Sequence, residues 1–165
     1  MSFGSEAGAG RDGGRDNPGV LIFPPLLFAL CLLAGIAIHA VTPAGLRAPA
    51  WVRGAGLAMA VGAIVHALWG ERTMKAAGTN VRPSLPALAI VRSGPFAYSR
   101  NPLYLSLVLL LAGIGIAVPS IPILAMVIPL VAVLRFGVIA REERYLAEKF
   151  GQTYRDYQRT VRRWF

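Results

Sequence analysis

The order of apolar and polar positions divides the chain into long uncharged blocks separated by basic ones. A bilayer core about 30 Å thick needs roughly 20 apolar helical residues at ~1.5 Å rise each, and windows of that size recur along the chain. The first, 20–41, holds no charge and has Pro24 and Pro25 in its opening turns, where a missing backbone donor does least harm. The second, 51–69, has Trp at both ends, as in an aromatic belt. From Leu103 to Leu134 there is no charged group, a run too long for one crossing and broken by Pro119, Ser120 and Pro122. It reads as a helical hairpin with a very short tip, its arms at about 103–118 and 120–140. Beyond it Leu146, Phe150, Tyr154, Tyr157 and Val161 recur at spacings of 4, 4, 3 and 4, which predicts a cytoplasmic amphipathic helix over about 142–161. The expected fold is all-α: an integral membrane bundle of about four transmembrane helices, the last two a tight hairpin. A disordered tail would cover 1–19, one membrane domain 20–165, and a polar loop 70–102.

Charge adds an orientation. Of the 17 Lys and Arg residues only Arg47 and Arg53 lie between the first two blocks or at the start of the second. The others fall in the tail, in 70–102 or in 135–165, which four spans put on one side. The positive-inside rule makes that side cytoplasmic, with both termini there, and in a prokaryote the membrane is of the bacterial inner type. A net charge of +9 beside 55% hydrophobic and 15% charged residues thus speaks for lipid as the surroundings rather than nucleic acid or a soluble fold. Cys31 is the only cysteine, so no intrachain disulfide forms.

Other signals are weaker than they look. Gly8, Gly10 and Gly13 spell G-x-G-x-x-G in the Gly-rich tail, but no strand precedes them and no helix of a βαβ unit follows. The first apolar block is longer than the core of a cleaved signal peptide. His39 and His66 lie within apolar spans without a second ligand at metal spacing, so no metal is expected. No nucleophile–base pair stands out.

Residues able to do chemistry concentrate in two stretches. One runs from Ala77 to Tyr104 and ends on Arg100-Asn101-Pro102-Leu103-Tyr104; the other begins at Arg141-Glu142-Glu143 and continues to Tyr157. A tight hairpin brings its own two ends together at one membrane face, so a site can form between them. Pro102 suits a helix start with Asn101 at the cap, whose free N–H groups favour a carboxylate or polar ring edge. Tyr104 adds a ring and a hydroxyl, and Glu142 or Glu143 a carboxylate for an ammonium or ribose hydroxyl. Plainer readings exist for each: turn chemistry for Gly94-Pro95 and Asn101-Pro102, surface ion pairs for the two acids, helix packing for the aromatic stripe. Arg135 either snorkels to lipid phosphate or clamps an anion in a cavity.

Taken together the two stretches resemble the membrane-embedded methyltransferases that include isoprenylcysteine carboxyl methyltransferase and the phospholipid N-methyltransferases. That superfamily carries G-x-[YF], then R-[HN]-P-x-Y at a helix start, and one hairpin later E-E-x-x-L-x-x-x-F-G-x-x-Y-x-x-Y. The chain reads Gly94-Pro95-Phe96, Arg100-Asn101-Pro102-Leu103-Tyr104, then Glu142-Glu143 with Leu146, Phe150-Gly151, Tyr154 and Tyr157 in register. The resemblance covers about 78–164 and implies an S-adenosylmethionine-dependent methyltransferase. It carries cofactor contacts onto Leu88, Ala89, Ile90, Val91, Phe96, Asn101, Pro102, Leu103, Tyr104 and Glu142. Departures from the isoprenylcysteine enzymes are Phe96 for their Tyr, Asn101 for their His, and Val138 at the place of a substrate-side Arg, which leaves Arg135 or Arg141 for that role. The resemblance implies a lipid or lipid-like acceptor at the cytoplasmic membrane face, as for the carboxyl O-methyltransferases. A phospholipid amine and a small thiol or amine are the other acceptors within the class. Outside it stands a lipid-binding membrane scaffold or transporter subunit.

Overall fold

The computed structural model describes residues 18–20, 22–42 and 47–164. The tail expected to be disordered, with its glycine motif, lies almost wholly outside the described residues. The described chain is helical and contains no strand. Helix α1 is Pro24–Val41 and α2 is Ala50–Ala76. A 3-10 turn, Gly94–Ala97, precedes α3, Pro102–Ala117. A long helix α4, Ile121–Phe150, follows, and the chain closes with α5, Gln152–Thr160.

Helices α1, α2 and α4 are long and apolar enough to cross a membrane. The third apolar block forms a 16-residue helix, about 24 Å at ~1.5 Å per residue, which is short for a full crossing. Its shortness follows from the hairpin tip, where Ser120 caps α4 by accepting from the Ile123 N–H at 3.4 Å. The second helix runs on past the predicted apolar window and past Gly70, because 71–76 is rich in good helix formers. Gly78, at φ +69°, stands just beyond its end.

The last part departs from expectation more instructively. The amphipathic helix predicted over 142–161 is two pieces: the end of α4 and the separate α5, hinged at Gly151. Gly151 adopts φ +54° and ψ −124°, a region closed to side-chain-bearing residues, so the chain turns there instead of after residue 140. Within α4 the helix tightens at Met126, where Pro129 has no N–H for the Ala125 carbonyl, and widens into a π segment, Leu134–Ile139.

The bundle closes around Leu111, Leu130, Leu134, Val138 and Ile139, all fully buried, with Leu27, Cys31 and Ile123 beside them. Helices α2 and α3 approach closely at Gly56 and Gly113: a Cβ on Gly113 would come within 2.7 Å of the Ala60 nitrogen. The two membrane histidines tie helices together. His66 Nδ1 lies 2.8 Å from Ser106 Oγ across α2 and α3, and His39 Nδ1 lies 3.1 Å from Ser120 Oγ at the hairpin tip. Pairing satisfies polar groups that lipid would leave stranded. No group of metal-ligating side chains occurs among the described residues. The outer surface is apolar, with Leu33, Leu57, Val65, Ile128 and Phe136 all exposed. Such exposure is costly in water but matches hydrocarbon, so the chain is a membrane protein.

Candidate active site

At the polar end of the bundle the segment 79–91, the start of α3, the extension of α4 and α5 enclose a cleft of about 860 Å³, counting its open side. Each wall has a local cause. Thr79 Oγ1 accepts from the Leu88 N–H at 3.0 Å and lies 3.4 Å from the Ala89 nitrogen, Asn80 Nδ2 donates to the Pro86 carbonyl, and the Ala87 N–H donates to the Tyr145 hydroxyl at 3.2 Å. These bonds hold an irregular segment that has no ladder of its own. Gly94, at φ +58°, lets the 3-10 turn pass against Thr73 of α2, and the turn buries Pro95 and Phe96. The Tyr157 hydroxyl donates to the Phe96 carbonyl at 2.6 Å, fastening α5 beneath the turn.

The π segment aims the acids. The buried face holding Leu130 and Leu134 widens in the π segment to Gly137, Val138 and Ile139, and Glu142, Glu143 and Leu146 follow it onto the cleft wall.

The neighbouring acids meet opposite surroundings. Glu143 is clamped: Arg163 Nε and Nη2 approach its two oxygens at 3.0 and 2.6 Å, and Arg100 Nη1 lies 3.1 Å from Oε1. The Arg100 contact is an ion pair angled away from a hydrogen bond, and Arg100 Nε is buried without a hydrogen-bond partner among the described residues. Glu142 touches no cation among the described residues; its Oε1 accepts from the Tyr104 hydroxyl at 2.6 Å. Burial raises the Glu142 carboxyl to about 7, against the opposing pull of the Tyr104 hydrogen bond, with a smaller upward push from Glu143. Water still reaches its edge along the open cleft, yet protein surrounds it closely enough to disfavour the charge. Burial also raises the Tyr154 hydroxyl to about 12, so it stays neutral.

Of the residues singled out from sequence, Ala89, Ile90, Val91, Phe96, Asn101, Pro102, Leu103, Tyr104 and Glu142 line this cleft. Leu88, Arg135 and Arg141 do not. Leu88 is 61% exposed, turned outward by the bond its N–H makes to Thr79. Arg135 stacks its guanidinium 5.6 Å from the Phe136 ring on the exposed flank of the π segment. Arg141 donates to the Gly19 carbonyl at 2.9 Å, joining α4 to the segment before α1. Asn101 also differs from a free ligand group, since its Nδ2 donates to the Arg163 carbonyl at 3.0 Å. Sequence reasoning missed Thr79, Tyr145 and Arg163, whose roles rest on contacts between segments far apart in the chain.

The bundle thus carries at its polar end a cleft that joins the start of α3 to the Tyr104–Glu142 pair. The model of the phospholipid methyltransferase family matches residues 51–153, more than half of the chain, and the chain belongs to that family. The match spans α2, α3, α4 and the cleft between them, and the family is one of membrane methyltransferases. Among curated proteins no match to the chain is found.

Proposed function

We propose that the chain is an S-adenosylmethionine-dependent methyltransferase acting on a lipid or lipid-like acceptor at the cytoplasmic face of the membrane. The observation that supports this most is Glu142: a carboxylate held by Tyr104, with no cation beside it among the described residues, in a cleft open to one side. Such a group calls for a positively charged ligand, and the cofactor is one. Apolar walls at Ala89, Ile90, Val91 and Leu103 suit its adenosine portion. When bound it supplies an electrophilic methyl group, and transfer then needs in-line alignment and exclusion of water. The chain's part is to orient: Tyr104 fixes the Glu142 carboxylate, while Phe96 and Pro102 shape the wall.

Among acceptors an amine is favoured over a carboxylate. Arg100 and Arg163, the natural partners for an acidic substrate, are already committed to Glu143. An amine must lose a proton, and Glu142, whose proton affinity lies near neutrality, suits taking it. Arg82, exposed at the cleft rim, suits the phosphate of a lipid headgroup. Cytoplasmic orientation is supported by the basic residues gathered at this end of the bundle.

Purified protein in lipid-containing micelles, given cofactor labelled in its methyl group, should transfer label to an aminophospholipid, and Glu142→Gln should lower the rate about tenfold or more. Label in small water-soluble thiols alone would move the acceptor class. Label in no acceptor would remove the enzyme reading.

A further inference from the structure

Residues 162–164 lie against the cleft wall. The Arg162 carbonyl accepts from the Arg100 N–H at 3.0 Å, and the Arg163 carbonyl accepts from Asn101 Nδ2 at 3.0 Å and Ser99 Oγ at 3.3 Å. Trp164 packs against the central apolar cluster. These contacts fasten the segment to the start of α3 through its backbone and its final tryptophan. The Arg163 side chain is then free to grip Glu143 with both nitrogens of its fork, the strongest geometry an arginine–carboxylate pair has.

We propose that Arg163 is a positioning residue of the cofactor site: by neutralising Glu143 it keeps the adjacent Glu142 ionised and free to meet a cationic ligand. The inference rests on the methyltransferase reading for the identity of that ligand, but its electrostatic part does not. The ionisable groups that share the cleft with Glu142 are Tyr104 from α3, Glu143 and Tyr145 from its own helix, Tyr154 and Tyr157 from α5 and Arg82 from the 79–91 segment, with Arg100 and Arg163 acting through Glu143. Removing Arg163 leaves Glu143 with one cation instead of two. The uncompensated negative charge next door then favours the neutral form of Glu142.

The test uses the full chain in detergent and compares wild type with Arg163→Gln, Arg163→Lys, Glu143→Gln and the double variant Glu143→Gln/Arg163→Gln. None of these substitutions removes the backbone carbonyl that holds Asn101 and Ser99. S-adenosylmethionine binding is titrated calorimetrically between pH 6 and 9. Arg163→Gln should shift the midpoint of the pH dependence upward by about 0.5–1 unit, so that affinity falls several-fold near neutrality and recovers at pH 9. Arg163→Lys should lie between wild type and Arg163→Gln, and the double variant should return the midpoint towards that of wild type. A loss of affinity equal at every pH, or no loss at all, would overturn the proposal.

A second readout needs no ligand: the pH profile of the melting temperature, taken as the difference from the same protein with Glu142→Gln. Its midpoint should move upward in Arg163→Gln, and an unmoved midpoint overturns the proposal. If wild type binds no cofactor while this midpoint still moves, the failure belongs to the methyltransferase reading and Arg163 keeps its electrostatic role.

Discussion

Glu142 and Glu143 are adjacent in sequence and unlike in chemistry. Glu143 is held by two arginines; Glu142 has a tyrosine hydroxyl and a carboxyl raised by burial to about 7. The native state therefore holds a proton on Glu142 more tightly than the unfolded chain does. The resulting stabilisation is complete below the ordinary glutamate range and is lost as pH rises towards 7. Replacing Glu142 with Gln removes the cost of the buried charge. The variant should melt higher than wild type at pH 8, by up to about 3 kcal/mol of stability, and show little difference at pH 4.5. Scanning calorimetry in detergent at the two values checks this. The presence of the acid pair was legible in the sequence, and so was Tyr104 at its distance from the helix start. The difference between the acids was not, because it depends on a π turn without a compositional signature and on Arg163, twenty residues further on.

The elements themselves were largely legible. Apolar blocks of bilayer length predicted α1, α2 and the hairpin of α3 and α4, since lipid imposes a length that composition records directly. Breakers were less legible. Gly151 stands inside a stripe with continuous helical spacing, and only its positive φ shows that the stripe belongs to two helices. Close packing between elements is also written in small residues without announcing its partner. Gly113 faces Ala60 and Gly56, with a would-be Cβ 2.7 Å from the Ala60 nitrogen and 2.9 Å from the Gly56 oxygen. Backbone atoms cannot swing aside, so Gly113→Ala must push α2 and α3 apart. We expect a loss of about 1–3 kcal/mol, read as a lower midpoint in detergent unfolding. Gly54 meets no atom within 4 Å and lies in the same helix as Gly56, so Gly54→Ala should be neutral or mildly stabilising.

At the scale of the molecule, greasy helices and a basic polar end are two parts of one arrangement. The spans confine the chain to the bilayer, and the hairpin returns it to the face where the loop 70–102 lies, so the few polar residues share a cleft. A soluble cofactor and a membrane-borne acceptor can meet only at such a boundary. Reporter fusions after Phe165 should be active in the cytoplasm, and activity on the far side would invert the proposed orientation. The central claim is that this cleft binds S-adenosylmethionine through Glu142. Calorimetric titration of the purified chain at pH 8 tests it most directly. Wild type should bind in the micromolar range usual for enzyme substrates, and Glu142→Gln, equally folded, about tenfold or more weaker. Equal binding by the two proteins, or none by wild type, would contradict the account.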